Sequence, residues 1–124
     1  MARYQFQETT VSEETLHEIC PLTMTQNVIS GRWKAVILWH LSQHDSIRFG
    51  ELMRKIQGIS KAILSKQLKE LEEDRLVHRK VYEEVPPKVE YSLTAYGETI
   101  LPVIEAMQTF GKQLMKDQTI HHGE

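Results

Sequence analysis

The side chains best suited to chemistry in this chain are few. Cys20 is its single thiol. It stands directly before Pro21, where the pattern starts a helix, and a helix N-terminus favours thiolate and hence reactivity. A thiol so placed is more reactive than a buried one. The plainer alternative is a small buried hydrophobe, the common state of a free cysteine. One cysteine closes no disulfide within the chain and rules out a cysteine-based zinc finger. No resolving cysteine, positioned base or phosphate loop accompanies it, so a thiol enzyme is not expected. The histidines invite a metal reading, since His40 and His44 are four apart and His121 and His122 are adjacent. Neither pair has a carboxylate or cysteine at ligand spacing. His40 and His44 more simply suit the negative end of a helix. No metal and no cofactor is expected.

The second kind of chemistry is charge. The net charge of −2 argues weakly against nucleic acid, but its distribution argues the other way. From Arg48 to Lys69 there are six basic residues (Arg48, Arg54, Lys55, Lys61, Lys66, Lys69) and one acid, Glu51, which makes the segment +5. Acids cluster on either side, at Glu8, Glu13, Glu14 and Glu18, and again at Glu70, Glu72, Glu73 and Asp74. Local asymmetry of this kind is the footprint of a nucleic-acid partner. The bland alternative is a solvated helix face with i, i+4 pairs such as Lys66 with Glu70 and Lys69 with Glu73.

Two helices must position those charges. Phe49, Leu52, Met53 and Ile56 share one face of the first. The second runs from Ser60 to about Glu73, with Leu64, Leu68 and Leu71 at the spacing of a buried stripe. Ser60 stands at the N-cap, and Gly58 permits positive φ in the turn between the helices. This is the outline of a helix-turn-helix. Its second helix turns Lys61, Ala62, Ser65, Lys66 and Lys69 outward, small and basic side chains that suit close approach to DNA. Lysine pairs with guanine edges and serine with bases or phosphate, so Ser60, Lys61, Ala62, Ser65 and Lys66 form the expected reading face. Lys69, Arg48, Arg54, Arg79, Lys80 and Lys88 are expected to clamp phosphates.

The rest of the chain frames this unit. Residues 1–11 read as a flexible arm, and 12–30 as N-terminal helices broken at Cys20-Pro21. A helix from about Trp33 to Ser42 is apolar on nearly all sides and belongs in the middle of the domain. Ile47-Arg48 reads as a short extended piece. After Leu76 two alternating stretches flank Glu84-Val85-Pro86-Pro87, the pattern of a β-hairpin. Helix-turn-helix plus hairpin, residues 47–93, makes a winged helix, with the wing at residues 79–90. Thr94 is expected to cap a last helix running to about Lys116, with a kink or break near Pro102. Its apolar stripe either folds back on its own domain or packs on a second subunit, and the second is favoured, since pairing gains affinity and sets half-site spacing. The dimer contacts expected are Leu16, Ile19, Ile104, Met107, Phe110 and Leu114.

The fold class is therefore mainly α with a small β-hairpin, a winged helix-turn-helix with N- and C-terminal dimerisation helices in one domain, 1–124. The start has no signal-peptide h-region, and the longest apolar run, Ala35 to Trp39, is far short of the roughly 20 residues of a membrane span. A soluble cytoplasmic protein is expected.

Several phrases carry a family resemblance. They are Gly31-Arg32-Trp33-Lys34, Arg48-Phe49-Gly50-Glu51-Leu52, Gly58-Ile59-Ser60, Leu68-Lys69-Glu70-Leu71-Glu72, and Pro86-Pro87-Lys88-Val89-Glu90-Tyr91-Ser92-Leu93-Thr94 followed by Gly97. In this order and spacing the chain resembles the HxlR-type bacterial transcriptional regulators, winged-helix relatives of the MarR group, from Cys20 to about Leu114. The resemblance implies a homodimer joined through its terminal helices, with the helix after Ser60 in the major groove of double-stranded DNA. It also implies an oxidant or small-molecule effector, because several such relatives sense oxidants or electrophiles through a cysteine at this N-terminal position. Two departures stand out. The family usually has glycine where this chain has Arg75, so the helix is expected to end differently, and it often has tryptophan in place of Phe110. The competing reading is a winged-helix protein-interaction module without DNA binding. The lysines of the second helix oppose it, because a protein-binding face carries more exposed apolar side chains.

Overall fold

The computed structural model describes residues 19–122, and side chains as far as residue 118. The expected arm at 1–11, nearly all of the expected first helix and Leu16 lie outside the described residues, as do the side chains of His121 and His122.

Helix α1, Pro21–Val28, starts where proline costs least, in a first turn whose N–H groups have no helical partner. Helix α2, Lys34–Ser42, is the central element, with Ile37, Leu38 and Leu41 buried. Strand β1, Ile47–Arg48, leads into helix α3, Phe49–Lys55. Gly58, at φ +89°, makes the turn into helix α4, Lys61–Glu73. Ser60 caps α4 as expected, its hydroxyl accepting from the Ile63 N–H at 3.1 Å. Leu64, Leu68 and Leu71 are buried against the core.

Strands β2, Val77–Tyr82, and β3, Lys88–Leu93, form the hairpin. The sheet has a third strand, because β1 pairs antiparallel with β3 in the order β1-β3-β2. The expected hairpin is present, and the short extended piece expected at Ile47-Arg48 joins it as a third strand. Two residues are too few to show an alternating pattern, and only their pairing makes them a strand.

Arg75 takes φ +67°, the left-handed conformation that usually calls for glycine. Helix α4 does not end differently for lacking glycine. The Leu76 N–H reaches Leu71 O and the Arg75 N–H reaches Glu72 O, each at 3.0 Å. These are the two bonds of a Schellman cap, and buried Leu71 and Leu76 are its apolar pair.

That cap is bolted to the next element. The Thr94 hydroxyl donates to Arg75 O at 2.6 Å and accepts from the Gly97 N–H at 2.8 Å. A Cβ on Gly97 would lie inside the van der Waals envelope of the Leu76 carbonyl, so only glycine lets the chains approach this closely. Thr94 thus caps helix α5, Ala95–Glu98, and not the long helix. The long helix α6 begins anew at Leu101 with Pro102 in its first turn, and it runs to His122, past the expected end at Lys116. Proline inside one continuous helix would clash with the carbonyl four residues back, which explains the break.

Candidate nucleic-acid interface

The face of α4 is presented as expected. Ser60, Lys61, Ala62, Ser65, Lys66 and Lys69 are all exposed, and Ile63 joins them at 38% exposure. The lone pair that Ser60 gives to Ile63 is spent on the cap, while its hydroxyl proton stays available to an acceptor.

The helix is held to the core partly by an ion pair that charge patterning alone does not reveal. Lys34 is 1% exposed, and its Nζ donates to Glu70 Oε2 at 2.8 Å. The pair joins the start of α2 to the last turns of α4. A lysine near the start of an otherwise apolar helix was the available signal, since a fully buried lysine requires a partner.

The remaining basic residues divide by strand parity. Arg48 and Lys80 both stand opposite Glu90, one on each side of β3. Lys88 lies two residues from Glu90 on the same face. Arg79 stands opposite Tyr91, on the other face. Arg48, Lys80 and Lys88 are therefore one group, while Arg79 and Arg54 are exposed elsewhere. Lys88 is already engaged, pairing with Glu90 at 2.9 Å and lying 4.9 Å from the Tyr82 ring centre. Its bond to Glu90 raises its pKa above the ordinary lysine value. The same bond, with one from Ser46, holds Glu90 below the ordinary carboxylate value.

Cys20 is exposed and occupies the N-cap of α1. The backbone N–H groups of Thr23 and then Leu22 hold its pKa below the usual thiol value, although neither closes into a cap hydrogen bond. His40 is half-buried, and desolvation, helped by Lys55 and His44, lowers its pKa. Burial thus opposes the pull of the helix end that the sequence suggests. Among the described residues no group of three or more His, Cys, Asp or Glu side chains is placed to hold a metal. No helix of the described residues is long and apolar enough to cross a membrane.

The apolar positions of α6 separate into two faces. Ile104 is 3% exposed and belongs to the core, which corrects its place among the dimer contacts: it is spent inside its own chain. Met107, Phe110 and Leu114 are 46%, 65% and 45% exposed, and Val103 extends their row toward the helix start. Ile19 is half-buried just ahead of α1. An open groove of about 770 Å³ lies among α1, the end of α4 and the start of α6, with Met24, Val28, Arg75, Tyr96 and Ile100 in its walls.

Residues 28–119 match the family model of the HxlR-like helix-turn-helix. The chain belongs to that family. Among curated relatives of the HxlR-like chain, the putative regulatory protein MalR of Fusobacterium mortiferum is 44% identical over 94 residues, 76% of this chain and 89% of that one. The uncharacterised helix-turn-helix transcriptional regulator YdeP of Bacillus subtilis is 45% identical over 96 residues, 77% and 74% of the two chains. Among solved structures, the redox regulator HypR in its oxidised form aligns with TM-score 0.72 at 44% identity, covering 76% of this chain and 96% of that one. The reduced form of the transcriptional regulator YodB from B. subtilis aligns with TM-score 0.64 at 35% identity, covering 77% and 93%. The fold is the winged helix-turn-helix of these regulators, and the chain is a helix-turn-helix transcriptional regulator.

Proposed function

We propose that this HxlR-like chain binds double-stranded DNA as a homodimer, with α4 in the major groove and residues 79–90 against the backbone or minor groove. The observation that carries the reading is the division of α4. One face is closed by Leu64, Leu68 and Leu71, and the other presents Lys61, Ala62, Ser65 and Lys66 to solvent. Lys69, Arg48, Arg54, Arg79 and Lys80 supply sequence-independent phosphate contacts. The exposed row Met107, Phe110 and Leu114 supports pairing with a second copy, and half-buried Ile19, just ahead of α1, would add to that contact.

Cys20 makes the binding responsive to oxidants or electrophiles in this reading. Its exposure and lowered pKa support it, as does likeness to HypR, described as a redox regulator. The groove beside α1 is where a small-molecule effector would meet both the end of α4 and the start of α6.

Selection of genomic fragments by the purified protein tests the whole reading. A two-fold symmetric sequence should be enriched and released by diamide from wild type, but retained by Cys20→Ser. Absence of any enriched sequence contradicts the DNA reading. Equal release from both proteins removes Cys20 from it.

A further inference from the structure

A carboxylate stands in the middle of the basic sheet face, where phosphate binding alone would place none. Glu90 is flanked across the strands by Arg48 on β1 and Lys80 on β2. Both of its oxygens are engaged. Oε1 takes Lys88 Nζ at 2.9 Å, while Oε2 accepts from Ser46 Oγ at 2.8 Å and from the Tyr82 hydroxyl at 3.2 Å. The donors come from the residue before β1, the end of β2 and the start of β3, so one side chain ties three strands together. Tyr82 completes the group, with Lys80 at 4.8 Å and Lys88 at 4.9 Å from its ring centre.

A half-buried ion pair that solvent still reaches contributes only modestly to folding, so this arrangement has its main consequence elsewhere. A lysine adds to DNA affinity chiefly by releasing counterions when it meets a phosphate. A lysine already neutralised by a carboxylate has little to release, and a phosphate recruiting it must displace a charge-assisted hydrogen bond. We propose that Glu90 is the internal counter-anion of the wing, a positioning residue that keeps Lys88 out of phosphate contact and so limits sequence-independent binding. Lys88 then orients Glu90 and Tyr82, while Arg48 and Lys80, in the same row, are left to the phosphates. The inference rests on the DNA-binding reading and deepens it.

The test is the slope of log affinity against log salt, measured on a selected fragment and on unrelated duplex. Glu90→Gln keeps one oxygen that can accept from both Ser46 and Tyr82 but removes the charge. It should steepen the slope by about 0.9, the increment of one added phosphate contact, and should strengthen binding to unrelated duplex as much as to the selected fragment, because a phosphate contact carries no sequence information. Adding Lys88→Gln to Glu90→Gln should return the slope to the wild-type value, whereas Lys88→Gln in the wild-type background should change it much less. Circular dichroism of the variants shows whether the sheet is kept. A Glu90→Gln slope equal to wild type, with Lys88→Gln alone lowering the slope by about 0.9, makes Lys88 a plain phosphate clamp and overturns the inference. Wild-type protein with no salt-dependent binding to any duplex overturns the DNA reading itself and this inference with it.

Discussion

Helix α4 and the wing both present cations to solvent, but they hold them by different means. The lysines of α4 are placed by backbone and burial. Ser60 fixes the helix start, Leu64, Leu68 and Leu71 fix its rotation, Lys34 grips Glu70, and the Schellman cap at Arg75 fixes its end. The wing's lysines are placed by side-chain charge, through Glu90 and the Tyr82 ring. A helix positioned by its core stays in register whatever its exposed residues are, so the reading residues can vary without moving the scaffold. A strand face positioned by ion pairs changes its electrostatics with each exposed substitution. The first arrangement suits reading and the second suits adjustment of affinity.

Substitutions that separate folding from binding sharpen this contrast. The largest effect is expected at the buried pair. Glu70→Ala leaves the Lys34 ammonium without its carboxylate in the core and should cost about 3 kcal/mol of stability. A chemical-denaturation midpoint equal to wild type would show that α4 is not held there. Ser60→Ala removes the acceptor from the Ile63 N–H and should cost about 1 kcal/mol, readable as a lowered melting temperature. Arg75→Gly works in the opposite direction. Relief of the left-handed strain, less the greater freedom of glycine in the unfolded chain, should add about 0.5–1 kcal/mol. A loss of stability would mean that the Arg75 side chain contributes more than its backbone costs. On the wing, Tyr82→Leu loses one hydroxyl bond of a half-buried side chain and should cost about 0.5 kcal/mol, the low end for a lost hydrogen bond, while altering the salt dependence of binding. A large loss of stability there would erase the distinction between the two regions.

Much of the recognition unit is legible in the sequence because its signals are local. The cap at Ser60, the turn at Gly58 and the leucine stripe each lie within a few residues of what they determine. Other features depend on partners far along the chain. Lys34 meets Glu70 across 36 positions, and its place in an apolar helix calls for a partner without saying which residue that is. The two residues of β1 are a strand only because β3 lies beside them. In α6 the apolar residues recur every three to four positions, which merges two faces into one apparent stripe. Only contact with α2 divides inward Ile104 from outward Met107, Phe110 and Leu114. Arg75 shows the limit of residue preference, since the hydrogen bonds and buried leucines of the cap outweigh an unfavourable φ.

In the proposed complex the exposed face of α4 carries the contact with DNA. That contact is tested most directly by the salt dependence of binding for wild type and for the Lys61→Ala/Lys66→Ala double variant on the same selected fragment. Both lysines are exposed and outside the buried stripe, so the variant should fold as wild type does. Weaker binding with a flatter slope, because two cations no longer displace counterions from the duplex, is the predicted result. Unchanged affinity and slope in a folded variant would remove this face from the contact with DNA.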